Sequence, residues 1–241
     1  MTRATAGASM DGAGQRRETI MDDDRFEDRA HAGRELARVL RDYALPSDAI
    51  VLGLPRGGVP VAAGIARTLG LPLDVLVVRK LGLPGQPELA MGAIASGGVR
   101  VLNEGVVASL REPDTVLERV TRAETLELER RERVLREGRP PLAVGGRTVV
   151  VVDDGLATGA TMEVAIRALR ALGAGRIVVA VPVAAYDARA RIAALADEVC
   201  CLAAPRSFDS VGQWYVDFEQ TSDREVIEAL ASAKRPVHRP C

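Results

Sequence analysis

The chain has 241 residues and a formal net charge of −1, so it suits one domain with a real core and offers no polyanion-binding surface. Aromatic residues make up only 3% against 47% hydrophobic residues, which excludes a stacking platform for single-stranded nucleic acid and favours an α/β protein rich in Ala, Val and Leu. No apolar run approaches the roughly 18 residues of a membrane span, and three cysteines without metal-knuckle or CxxC spacing fit buried thiols in a reduced, cytoplasmic protein.

Residues 1–24 are Gly-, Ala-, Ser-, Asp- and Arg-rich, with no apolar period and no signal-peptide core; they read as a disordered tail ahead of a domain over 25–241. Leu36, Val39 and Leu40 among charges predict an amphipathic helix over 26–43. Residues 49–54 read as a buried strand ending in Pro55-Arg56-Gly57-Gly58, followed by a helix over 59–69 that Gly70 and Pro72 stop. A second strand over 73–78 leads to Arg79-Lys80 and a Gly/Pro-rich loop over 81–87; 90–95 and 99–102 flank Gly97-Gly98 as a hairpin. Residues 113–137 predict a long, largely exposed helix that could serve an interface. The β-branched run 148–152 predicts a central strand, and a helix from about Gly159 carries Met162, Ala165, Ile166, Leu169 and Leu172 to a stop at Gly173. Strand 177–183, helix 187–195 and strand 199–202 follow, and Ser222 with Glu225 forms a capping box for a helix towards Ala233. Strands alternating with helices imply a central, mostly parallel sheet with helices on both faces.

The informative stretch is Asp153-Asp154-Gly155-Leu156-Ala157-Thr158-Gly159-Ala160-Thr161. A buried strand delivers two carboxylates to the carboxyl edge of the sheet, where open α/β folds bind ligands. Small residues then let backbone N–H groups close on an anion, Thr158 and Thr161 add hydroxyl donors, and a helix amino terminus adds partial positive charge. Phosphate in the loop and sugar hydroxyls on the carboxylates satisfy both demands at once. A capped strand-loop-helix turn is the structural alternative. The glycine spacing matches neither Walker A nor GxGxxG.

This stretch resembles the signature of type I phosphoribosyltransferases that binds 5-phosphoribosyl-1-pyrophosphate (PRPP), most of all the adenine phosphoribosyltransferase form. The resemblance implies that family's fold, with a small hood from the amino-terminal helix and segment 205–218, and Mg²⁺ bound with PRPP through Asp153 and Asp154. It assigns Arg56, Gly57 and Gly58 to a pyrophosphate loop and Arg79 and Lys80 to the leaving group, although an ordinary turn and a solvated basic pair read the same way. It likens 81–92 to a loop that closes over PRPP, bringing Glu88 to the nucleophile; a plain surface glutamate fits equally. Phe208, Trp214 and Tyr215 gather in the hood, either to stack on a base or as its core. Ala157 stands where hypoxanthine-guanine enzymes carry an aspartate base, so the acceptor does not transfer.

The implied reaction moves the phosphoribosyl group of PRPP to a nitrogenous base and releases pyrophosphate, in an enzyme often dimeric and without nucleic-acid or membrane partners. A non-catalytic PRPP or nucleotide sensor and a ribosyl-phosphate hydrolase are the alternatives. A receiver-like domain fails, because its acidic pair lies near the first strand.

Overall fold

Strands that are apolar at nearly every position need cover on both faces, and the parallel sheet here is built mainly from such runs. The structure, a computed structural model, describes residues 25–44 and 48–233; the expected tail over 1–24, Lys234 and Cys241 lie outside them. In chain order the helices and strands are α1 (Arg29–Val39), β1 (Ile50–Gly53), α2 (Gly58–Leu69), β2 (Leu73–Val75), β3 (Val78–Leu83), β4 (Gln86–Ala95), β5 (Val99–Leu102), α3 (Glu104–Ala108), α4 (Pro113–Arg136), β6 (Thr148–Val152), α5 (Ala160–Ala171), β7 (Arg176–Val183), α6 (Tyr186–Ala193), β8 (Glu198–Ala203) and α7 (Asp223–Ser232). Five strands form a sheet in the order β2-β1-β6-β7-β8, every neighbouring pair parallel.

The two-residue period of β6 sorts the valines. Val150 and Val152 share one core with Leu36 of α1, Ile65 of α2 and Val226 of α7. Val149 and Val151 share the other with Met162 and Ile166 of α5 and Ile192 of α6. Cys200 and Cys201 are buried on opposite faces in the same way. Asp28 caps α1, and Ser222 and Glu225 make the expected capping box on α7. Among the described residues no helix is long and apolar enough to cross a membrane.

Two expectations are corrected. The second strand does not run to 78: β2 stops at Val75, and Val78 opens a separate antiparallel sheet, β3-β4-β5. The loop over 81–87 is mostly strand, because Leu81 and Met91 bury against Leu117 and Leu128 of α4 and only Pro84-Gly85 turns, Gly85 at φ 84°. Helix α4 is therefore a packing element along one stripe. It is also tied to β2 by charge: Arg136 donates from Nε to Asp74 Oδ1 (2.8 Å), while Asp74 Oδ2 accepts from Leu142 N–H (2.8 Å).

Strand order places the site. From β1 the chain moves outward to β2, and from the adjacent β6 it moves the opposite way to β7, so the order reverses between β1 and β6. The loops leaving such a pair diverge and open a crevice at the carboxyl ends of the strands. Gly53 and Val152, the last residues of β1 and β6, are paired there.

Candidate active site

Both loops at this crevice are short, and they touch. Gly57 lies at φ −61° and ψ −33°, a conformation open to any residue. Its glycine is required by space: a Cβ there would sit 2.0 Å from Asp154 Oδ2 and 2.7 Å from Asp154 Cγ. A Cβ on Gly58 would meet main chain, 2.6 Å from the Val152 carbonyl oxygen and 2.8 Å from Asp153 Cα. The Pro55–Arg56 peptide that leads into this turn is cis. Gly57→Ala is expected to swing the Asp154 carboxylate aside and weaken anything it binds by about tenfold or more. The same displacement parts Oδ2 from the Arg29 guanidinium, so the unfolding midpoint should fall as well; parallel titrations and melts of the two proteins check this.

The carboxylates are half-buried. Burial, and next the neighbouring charge of Asp154, push the Asp153 carboxyl well above the usual carboxylate range, against the pull of the Asp154 N–H and Arg29. Burial also raises Asp154, and Arg29 opposes it. Asp153 Oδ1 accepts from the Asp154 N–H at 2.9 Å.

Beyond the carboxylates the loop alternates between anchors and open positions. Leu156 is a correction: it faces inward, and its N–H donates to the Val183 carbonyl at 2.9 Å, so it offers a phosphate no donor. Gly155 packs under Val211, where a Cβ would come within 2.5 Å of Cγ1. Gly159, at φ 72°, turns the chain into α5. Ala157, Thr158, Ala160 and Thr161 remain exposed, and the first turn of α5 holds N–H groups that lack intrahelical acceptors.

The basic residues spread more widely than expected. Arg56 leans towards α7, with Nη1 3.7 Å from Asp223 Oδ1. Arg79 and Lys80 lie within β3, not at the carboxyl edge of the parallel sheet, and alternation turns them to opposite faces. Arg79 pairs with Glu124 of α4 (Nη2 to Oε2, 2.6 Å). Lys80 lines a cavity of about 860 Å³ between the antiparallel sheet and α5, together with Gly92, Asn103, Ala160, Thr161 and Arg167. The side chain of Glu88 lies outside the described ones.

The hood segments pair with each other. The Phe26 N–H donates to the Trp214 carbonyl and the Val216 N–H to the Phe26 carbonyl, at 2.9 and 2.8 Å. Tyr215 has no open ring face for a base: it is 3% exposed, between Phe26 and Phe218. Its hydroxyl is drawn inward to donate to the Asp154 carbonyl at 2.7 Å. Phe208 and Trp214 are half-buried.

One residue at the crevice has no local signal. Arg29, 125 residues from Asp154 in sequence, donates from Nε to Asp154 Oδ2 at 2.8 Å. It is one arginine among many in its stretch.

Residues 24–218 match the family described as "Phosphoribosyl transferase domain". The chain belongs to that family. Two relatives from Mycobacterium tuberculosis, strains CDC 1551 and H37Rv, carry provisional names as phosphoribosyl transferases and are 51% identical over 210 residues, 87% of this chain. The match covers 47% of their length, so the chain spans about half of these relatives. The crystal structure of TT1426 from Thermus thermophilus is 46% identical, with a TM-score of 0.75 over 86% of this chain and 97% of that one. As a phosphoribosyl transferase domain, the protein places its family signature at the point where the strand order reverses.

Proposed function

We propose that this phosphoribosyltransferase domain transfers the 5-phosphoribosyl group of PRPP to a nitrogen nucleophile and releases pyrophosphate. One observation carries the proposal: a half-buried carboxylate pair and an exposed donor loop lie in one strand-to-helix connection, pressed against a glycine turn that admits no side chain. On this reading the 5′-phosphate rests on the N–H groups and hydroxyls from Ala157 to Thr161, and Asp153 and Asp154 take the ribose hydroxyls. The pyrophosphate lies over the Gly57-Gly58 turn, with Lys80 arriving from the antiparallel sheet. The acceptor nitrogen attacks C1′, the bond from C1′ to the pyrophosphate oxygen breaks, and pyrophosphate leaves with the electron pair while the acceptor sheds its proton. Positive charge builds on the ribose in between, so the work of the protein is to position the reactants, exclude water and stabilise that charge.

The donor set fits Mg²⁺ carried in on the substrate. Among the described residues no group of three His, Cys, Asp or Glu could hold an ion, whereas Mg²⁺ keeps several waters and takes one or two carboxylates plus substrate phosphates. Asp153 and Asp154 would hold it, and it would neutralise charge on the pyrophosphate.

Calorimetric titration of Mg²⁺·PRPP into the protein, followed by an acceptor screen for pyrophosphate release, tests the proposal. Saturable binding with acceptor-dependent release is expected. Release without acceptor would make the protein a hydrolase, binding without release a sensor, and no binding by the folded protein would overturn the PRPP assignment.

A further inference from the structure

The acidic pair is held from outside its own loop. Arg29, at the first turn of α1, is fixed on three sides. Nε donates to Asp154 Oδ2 (2.8 Å), Nη1 donates to the Glu219 carbonyl (2.7 Å), and the guanidinium lies 3.9 Å from the centre of the Phe218 ring. Only 12% of its side chain is exposed, and 16% of that of Asp154. The main chain of Asp154 is gripped from the same quarter, by the Tyr215 hydroxyl on its carbonyl. The segment before α1 and residues 214–217 are hydrogen-bonded into one unit, so this unit holds Asp154 by side chain and by backbone. Asp154 in turn donates its N–H to Asp153. A continuous set of contacts thus runs from Phe218 and Glu219 through Arg29 to both carboxylates.

We propose that Arg29 is a positioning residue for the sugar site, acting through Asp154. With Oδ2 engaged by the guanidinium, Asp154 meets a ribose hydroxyl through Oδ1, and its N–H keeps Asp153 in register beside it. Arginine suits this place because one planar group meets a carboxylate and a carbonyl in its plane and a ring on its face; a lysine ammonium keeps the charge and loses that geometry. Its single positive charge also offsets part of the repulsion between two adjacent half-buried carboxylates. The sugar-binding carboxylates and the hood are therefore one mechanical unit, although Arg29 and Tyr215 lie 125 and 61 residues from Asp154. This inference rests on Asp153 and Asp154 being the ribose-binding pair.

The experiment compares two ligands, one with the sugar and one without. PRPP and pyrophosphate are titrated, both in chelator so that no Mg²⁺ bridges the carboxylates to phosphate, into the parent protein, Arg29→Met and Arg29→Lys, with thermal melts to confirm that each is folded. Arg29→Met is expected to weaken PRPP by about 30-fold or more, the usual consequence of removing one partner from a buried charged pair, and to leave pyrophosphate within about threefold. Arg29→Lys should fall between, at about tenfold for PRPP, and carries the same comparison should the methionine variant unfold. A structural staple would loosen the whole crevice, so parallel losses for both ligands would overturn the proposal. PRPP binding within about threefold of the parent in both variants would overturn it equally. A parent protein that fails to bind Mg²⁺·PRPP would remove the PRPP reading itself, and this proposal with it.

Discussion

Asp153→Asn is expected to bind Mg²⁺·PRPP about 30-fold or more weakly than the parent, and yet to unfold at a higher temperature at neutral pH. Lost binding follows because an amide carries no charge to meet the ribose hydroxyls or the metal bound with them. Gained stability follows from the direction in which the carboxyl is shifted. Burial first, and the Asp154 charge second, raise the folded Asp153 well above an unfolded carboxyl at about 3.9. Between these two values the folded chain binds more protons than the unfolded one, so stability falls as pH rises through that window and stays reduced above it. Asparagine escapes this loss while keeping an oxygen for the Asp154 N–H. Melts of both proteins in a chelator, from pH 4 to pH 8, should show the advantage of the variant opening with rising pH and closing on acidification. An advantage independent of pH would mean that Asp153 ionises as freely in the folded chain as in the unfolded one.

The second large effect lies away from the site. Arg136→Met is expected to cost about 3–5 kcal/mol, because it leaves the Asp74 carboxylate buried without its counter-charge. Asp74 and Arg136 are 5% and 6% exposed, and the guanidinium also donates to the Val75 carbonyl and to Glu132. The Val75 and Leu142 N–H groups still reach the aspartate but carry no full charge. The pair anchors the end of α4 to β2, and α4 backs the antiparallel sheet that carries Lys80. Urea unfolding at an unchanged slope should show the loss as a shifted midpoint. A loss below about 1 kcal/mol would mean that water reaches the pair.

Much of the parallel sheet is legible from local pattern. The run Thr148 to Val152 is apolar and β-branched enough to be a central strand on any reading, and it is one, at the bounds expected. The helix from Gly159, the stop at Gly173 and the capping box at Ser222 each rest on residues within a few positions of one another, so the chain announces them. The loop from Asp153 to Thr161 is legible for the same reason, because strand, carboxylates, small residues and helix start are contiguous.

Where expectation failed, contacts distant in sequence decide. Residues 81–83 and 86–87 belong to a Gly- and Pro-rich stretch that suggests a loop; they become strands because Leu81 and Met91 find α4 to pack against. Arg79 and Lys80 look like a basic pair, but once that strand exists its alternation sends one to Glu124 and the other to the cavity beside α5. Tyr215 looks like a stacking surface until Asp154, 61 residues away, supplies the carbonyl that draws its hydroxyl inside. The sequence by itself determined the α/β architecture and the two-carboxylate loop between strand and helix, since periodicity and spacing are short-range properties. Only the tertiary structure brought Arg29, Gly57 and Tyr215 onto Asp154, because a hydrogen bond or a close approach across 60 to 125 residues depends on how helices and strands pack and leaves no mark in the neighbouring residues.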